Sequence, residues 1–422
     1  MALKKTVLKN GLRIITYPME NTRALTLLVL FGAGTKYETK KINGISHFLE
    51  HIVFKGTKKR PNPTDIAKEI DKVGGIINAY TSKELMGFWT KVDSKHLELS
   101  CDIISDMIFN PLIKEKAIEK EKKTIIEEIN MYFDMPQTYI LELWEKLLYG
   151  DQPAGWMISG EKETLRQISR EDVIKYSRNQ FSAKNAVIVL AGNFSEKEAI
   201  FKLKKFFGKF KKNKTLLKKP VVEKQKTPQV LIQTKETDQT HLVLGVRAYN
   251  IFSQKRYPLA VLANLLGGNM SSRLFTEIRE KRGMAYHVRA MAEAYTDSGY
   301  LITHAGLDNK RTVDAIKVII KEYRKLKEKK VSKAELQKAK DNIKGHLYLG
   351  LETSEAWATY FGEQEILKGK IDTPEKQCQM IDKVSQNDIL KVAKEIFRND
   401  KLNLALIGPF KDKEKFQKLL KL

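Results

Sequence analysis

His47 and His51 stand four residues apart, with Glu50 beside the second, in a chain that has seven histidines among 422 residues. Apolar residues at Ile45, Phe48, Leu49, Ile52 and Val53 recur at i, i+3, i+4, i+7 and i+8, the stripe of an amphipathic helix. At about 100° per residue the stripe centres near Ile45, and His47, Glu50 and His51 share the opposite face. Asn43 is of a type that caps helix starts and is expected to do so here. Imidazoles at i and i+4 can both reach one ion. Zinc suits imidazole, and a catalytic zinc site takes three protein ligands plus a water. Glu50, lying between the histidines on that face, is placed to take a proton from such a water.

The third protein ligand must come from another element. Ile118, Ile125, Ile126 and Ile129 mark a second helix over residues 118–132, which carries Glu121, Glu127 and Glu128. Glu127 falls about 180° from Ile118, toward solvent. Glu121 and Glu128 are seven apart and stack on one side at the border of the apolar stripe. Glu128 is therefore read as the ligand, with Glu121 as a supporting or alternative carboxylate.

These helices need a scaffold, and the chain reads as a duplication. The run 186–194 (AVIVLAGNF) is similar to 402–410 (LNLALIGPF), and 88–108 is similar to 301–323. The segments recur in the same order, which is what an internal repeat leaves behind. Aligning the second helix with its counterpart puts Ala339 opposite Glu121 and His346 opposite Glu128. The second half also lacks a His-x-x-Glu-His, so a metal site is expected in the N-terminal half alone. Two domains, 1–212 and 229–422, are expected around a Lys-rich linker, 213–228, in which Val221 and Val222 could open a strand. The strands look amphipathic rather than continuously apolar. The expected class is α+β: two duplicated domains, each an antiparallel sheet with helices packed on one face. The chain should open with a β-hairpin around Asn10-Gly11.

The net charge is +25, from 76 Lys and Arg against 51 Asp and Glu. The lysines are dispersed among glutamates, with no basic-aromatic interleaving, so nucleic acid is not expected as a partner. Cys101 and Cys378 form neither a disulfide framework nor a cysteine-rich metal site, which suits a reduced compartment. No run approaches the ~18 apolar residues of a membrane span, and no leader is expected, so a cytoplasmic location and no membrane partner follow.

The runs GAGTKYE (32–38), GISHFLEHIVFKGT (44–57), GGIINAYTSKE (74–84), EKEKKTIIEEINMY (119–132) and GGNMSSRLFTEIREKRGMAYHV (267–288) resemble the pitrilysin family of zinc metallopeptidases. The likeness is to its mitochondrial-processing-peptidase-like, insulinase-like branch and covers essentially the whole chain. His-x-x-Glu-His is the inverzincin signature. The resemblance implies one zinc per chain on His47, His51 and Glu128, with Glu50 as general base to a zinc-bound water and Glu121 as accessory glutamate. It assigns Asn78 and Ala79 to pairing with the substrate backbone, and Arg279 and Tyr286 to reaching the substrate or tetrahedral intermediate. It implies an endopeptidase acting on unfolded or short peptides in a chamber enclosed by half-clamshells. A homodimer is the expected assembly, with a heterodimer containing a non-catalytic homologue as the other arrangement the family uses. The alternative function is a non-catalytic structural subunit of a larger complex. His96, His241, His287 and His304 are read as ordinary structural or surface residues.

Overall fold

The computed structural model describes residues 3–422. The chain divides into two compact units. Unit 1 comprises Met1–Asn130, Trp156–Lys219 and Gly350–Ile371, and unit 2 comprises Met131–Gly155, Pro220–Leu349 and Asp372–Leu422. Each unit therefore takes a piece from the other half of the sequence, which a division into contiguous halves at 213–228 does not describe.

Unit 1 holds a sheet of β1 (Lys4–Val7), β2 (Arg13–Pro18), β3 (Ala24–Phe31), β4 (Ile76–Thr81), β5 (Met86–Asp93) and β6 (Ala186–Gly192), in the order β1-β2-β6-β3-β5-β4. β1 and β2 form the opening hairpin, paired from Lys4↔Thr16 to Val7↔Arg13, with Gly11 in the left-handed region at φ 87°. Unit 2 holds β7 (Gln229–Thr234), β8 (Gln239–Arg247), β9 (Ala285–Ala294), β10 (Gly299–Asp308) and β11 (Leu402–Gly408), in the order β7-β11-β8-β10-β9. Without β1, the two orders superimpose strand for strand. Both sheets are antiparallel except for one parallel pair each, β2 with β6 and β7 with β11. A repeated topology down to its single parallel pair is what a duplicated domain produces.

In unit 1 the main helical layer covers one face, with Leu25, Leu27, Val29 and Phe31 under Phe48, Leu49, Ile104 and Ile125. The central strands are not amphipathic, contrary to expectation: seven of the eight residues of β3 are apolar, and seven are buried. The opposite face, Leu28, Leu30, Val187 and Val189, is closed by helix Ser354–Lys368 through Ala358 and Phe361. Each of those side chains left in water would cost about 1.5–3 kcal/mol. Unit 2 does the same with helix Pro136–Tyr149, whose Ile140, Leu143 and Trp144 cover Val243, Ile302, Ala405 and Ile407. These two helices are the exchanged segments.

The segment read as a linker forms no strand at Val221–Val222 but is laid down by side-chain hydrogen bonds. Gln180 Oε1 accepts from the Leu216 amide (3.0 Å), Gln152 Oε1 from Val222 (2.9 Å) and Asp297 Oδ2 from Val221 (3.2 Å). Among the described residues no helix is long and apolar enough to cross a membrane.

The register of unit 2 sets His241, Gly306 and His287 side by side on β8, β10 and β9, with His304 two residues along. The His287 and His304 rings meet edge to face at 5.2 Å. Burial, reinforced by the positive charges of His287, His241 and Arg289, pushes His304 down to about 4. The unfolded chain then binds a proton, near pH 6.5, that the folded chain refuses, so this stability is whole above that pH and drains away toward pH 4.

Two outcomes follow. Trp144→Ala, at a fully buried position, should cost about 3–5 kcal/mol in chemical denaturation. His304→Phe should remove roughly 2 kcal/mol of the stability loss between pH 7 and pH 5. Equal losses in the variant and the parent chain over that range would refute the assignment to His304.

Candidate metal centre

Helix Ile45–Ile52 begins at Gly44, which adopts φ 93°, ψ −2°. A Cβ there would stand 2.6 Å from the Ser159 carbonyl oxygen, so both conformation and space demand glycine. Asn43 is not the cap. Its amide donates instead to Glu38 Oε2 (3.0 Å) and to the Met157 carbonyl (3.1 Å). The helix start is capped by Glu38, whose Oε2 accepts from the Gly44 amide (2.8 Å) and whose Oε1 accepts from Ser46 (2.9 Å). A carboxylate satisfies orphan N–H groups there and suits the positive end of the helix dipole. Burial pushes the Glu38 pKa up, and the hydrogen bonds from Ser46, Asn43 and Gly44 work against that shift.

With Ile45, Phe48, Leu49 and Ile52 fully buried, the helix cannot roll, and its other face presents His47, Glu50 and His51. Helix Glu115–Phe133 buries Ile118, Ile125 and Ile129 and delivers Glu121 and Glu128 to the same place. His47 Nε2 and His51 Nε2 lie 3.2 Å apart. Glu128 Oε1 is 3.6 Å from His47 Nε2, and its Oε2 is 3.5 Å from His51 Nε2. A tetrahedral ion with ligands at about 2.0–2.1 Å spaces them by roughly 3.3–3.4 Å. The imidazole pair is close to that spacing, and Glu128 turns one oxygen toward each ring, so the three side chains stand within reach of one ion. Two imidazoles with one carboxylate are a catalytic zinc donor set. Among the described residues these three are the one group of its kind that could hold a metal ion. Glu127 is exposed.

Glu121 accepts from His51 Nδ1 at 2.9 Å, which turns the Nε2 lone pair toward the cluster. Lys55 Nζ meets its other oxygen at 2.9 Å. Burial would raise the Glu121 carboxyl, but the hydrogen bonds from His51 and Lys55 outweigh it and hold it low. Burial raises Glu128. It also pushes His47 down to about 3, helped by the like charge of His51 and opposed by Glu121, so this ring is kept neutral as a metal ligand must be. Glu50 is raised by burial, partly offset by the Thr81 hydroxyl, which donates to its Oε2 at 2.5 Å.

Thr81 ends β4, the edge strand of the sheet. Asn78 and Ala79 lie on that strand, facing Trp89 and Phe88 of β5 on one side only. The Ala79 amide donates to the Asn78 side chain (2.9 Å), so the strand's outer edge is held by its own residue and not by a neighbouring strand. Arg279 and Tyr286 belong to unit 2 and are brought to each other. Arg279 Nη1 donates to the Tyr286 carbonyl (2.8 Å), and its guanidinium stacks 4.8 Å from both the Tyr286 and Phe275 rings. Arg279 sits in a π-helical turn, Phe275–Glu280. Tyr286 sits in a bulge: Ala285 pairs with Leu307 and His287 with Gly306, which leaves Tyr286 unopposed and 79% exposed. Bulges and π-turns both re-aim side chains.

Sequence reasoning missed Glu38, Thr81 and Lys55. Glu38 stands in the quoted run 32–38, but a cap six residues upstream of the helix has no spacing rule to find it.

A family model described as "Insulinase (Peptidase family M16)" matches residues 13–161, and one described as "Peptidase M16 inactive domain" matches residues 167–343. The uncharacterized zinc protease YmxG of Bacillus subtilis is 35% identical, over 96% of this chain and 98% of its own length. A crystal structure of a protease from Helicobacter pylori superimposes with a TM-score of 0.91 at 24% identity, covering 97% of this chain and 99% of that one. A chain of complex III2 from Candida albicans superimposes at 0.85 with 18% identity over the full length of both. The last two likenesses are of fold.

Glu121→Gln should weaken zinc binding about ten- to hundredfold in chelator competition. Glu127→Gln, on the same helix, should leave it unchanged. Parity between the two variants would remove Glu121 from the site.

Proposed function

Because the chain belongs to the insulinase family, peptidase family M16, we propose that it is a zinc-dependent endopeptidase cutting unfolded or short peptides. The observation that carries this is the convergence of His47, His51 and Glu128 within reach of one ion, with Glu50 on the same helix face as the histidines. His47, His51 and Glu128 would hold the ion. A zinc ion there supplies a Lewis acid and a water of lowered pKa.

The remaining work falls to the chain. Glu121 holds His51 in the tautomer that offers Nε2. Glu50, with Oε2 occupied by Thr81, uses Oε1 to take the proton of the attacking water and return it to the leaving amine. The outer edge of β4 receives an extended peptide as an added strand, and the substrate carbonyl competes with Asn78 for the Ala79 amide. Folded proteins offer no such strand, which restricts the substrate to unfolded or short peptides. In unit 2, Arg279 and Tyr286 bind the scissile peptide and its developing negative charge. Two chains enclose the chamber in which this happens, each with its own complete set of residues. A purely structural subunit has no need for a base at Glu50 or for the carboxylate behind His51, so the complete set favours the enzyme.

Glu50→Gln should retain zinc and lose peptidase activity by at least about a hundredfold. Zinc content by mass spectrometry and cleavage of a peptide library measure both. Undiminished cleavage by the purified variant would sink the mechanism.

A further inference from the structure

Unit 1 carries a cleft of about 480 Å³ between residues 108–113, 170–181 and 209–213. Its floor is apolar, with Ile108, Leu112, Ile174 and Phe181. Its polar lining includes Arg170, Arg178, Lys209 and Lys211, and no carboxylate. Two other clefts of similar size, about 570 and 500 Å³, differ in this respect. Their linings include Glu322 and Glu395, which pair with Lys325 and Lys255 on the spot. Among the described residues, none of the four cations of the first cleft has a carboxylate partner.

One wall is rigid. Ile113 is the one non-glycine residue with positive φ among those described (45°), a strain of about 1–3 kcal/mol for a β-branched residue. It is held there by Arg170, whose Nε donates to the Ile113 carbonyl at 2.7 Å, and by the Leu112 amide on the Gly56 carbonyl at 3.0 Å. Arg170 is thereby anchored through Nε, which leaves both of its Nη groups for a ligand.

Four cations without a carboxylate partner, one of which, Lys209, lies over the Phe109 ring at 5.4 Å, attract anions, and the apolar floor favours one that brings a non-polar body. A single carboxylate would leave most of the charge unmet. Guanidinium forks match phosphate oxygens in pairs. We propose that this cleft binds an organic phosphate, with its phosphate group at Arg170, Arg178, Lys209 and Lys211 and its non-polar body on the floor.

The test is calorimetric titration of the full chain with three probes: inorganic phosphate, ADP and dihexanoyl phosphatidic acid. ADP or the phosphatidic acid should bind at least tenfold more tightly than inorganic phosphate, and the arm that does so separates a nucleotide from a lipid headgroup. Raised salt should weaken the binding. Arg178→Glu combined with Lys211→Glu, both exposed, should weaken it at least tenfold while leaving peptide cleavage unchanged. If that pair fails to fold, Arg178→Gln alone should weaken binding at least threefold. Failure of both organic phosphates to bind, inorganic phosphate binding as tightly as either, or undiminished affinity in the folded variants would each overturn the proposal.

Discussion

A buried carboxylate holds the start of the helix on which the metal centre depends. Glu38 accepts from Gly44, Ser46 and Asn43, and Gly44 takes a left-handed conformation that lets the chain enter the helix at that point. With its N-terminus pinned and its apolar stripe under the sheet, an eight-residue helix has one azimuth left. A helix this short is marginal alone, so its geometry is imposed by these contacts. Rotation by one residue, about 100°, would carry both imidazoles away from Glu128. The precision of the three donor separations is thus a property of the cap and the core more than of the histidines.

The same logic explains the exchange of helices between the units. Strands β3 and β6 of unit 1, and β8 and β11 of unit 2, lie in the middle of their sheets and are apolar on both faces. One helical layer cannot cover two faces. Each sheet takes its second cover from the other half of the sequence, Ser354–Lys368 on one and Pro136–Tyr149 on the other. Polar pins fix the first of these: Ser354 meets Thr26 at 2.8 Å, and Glu365 accepts from Lys5 at 2.6 Å. Neither half of the sequence contains a whole domain, which makes the halves mutually dependent for folding.

What could be read beforehand was whatever periodicity encodes. The face shared by His47, Glu50 and His51, the choice of Glu128 over Glu127, and the duplication all follow from phase and order along the chain. The exchanged helices could not be read that way, because an apolar stripe does not say which sheet it covers. The supposed amphipathicity of the strands failed for a related reason: alternation in size within a run that is apolar but for one threonine, as in ALTLLVLF, mimics alternation in polarity. Glu38 was hidden because capping from a loop obeys no fixed spacing. Tyr286 was placed by resemblance, but its bulge, which turns the ring out, depends on pairing with β10 and leaves no mark in β9 itself.

The second unit shows how little of the scaffold the chemistry requires. It repeats the strand order, the parallel pair and the second-face helix, yet where unit 1 has the helix carrying His47 and His51, unit 2 has helix Arg256–Gly267, with eight buried residues and no histidine. His346, aligned with Glu128, is exposed, and its Nδ1 lies 2.8 Å from the Asn342 carbonyl of its own helix. Ala339, aligned with Glu121, is fully buried in the core. A few side chains separate the copy that carries the candidate metal donors from the one that does not, while the energetic demands on the two sheets stay the same. Packing therefore constrains both copies alike and cannot by itself preserve a catalytic site. The departures from regular structure in unit 2, the π-turn at Arg279 and the bulge at Tyr286, fall on two side chains that stack on each other outside the hydrophobic core, where the packing of the sheet places no demand on them.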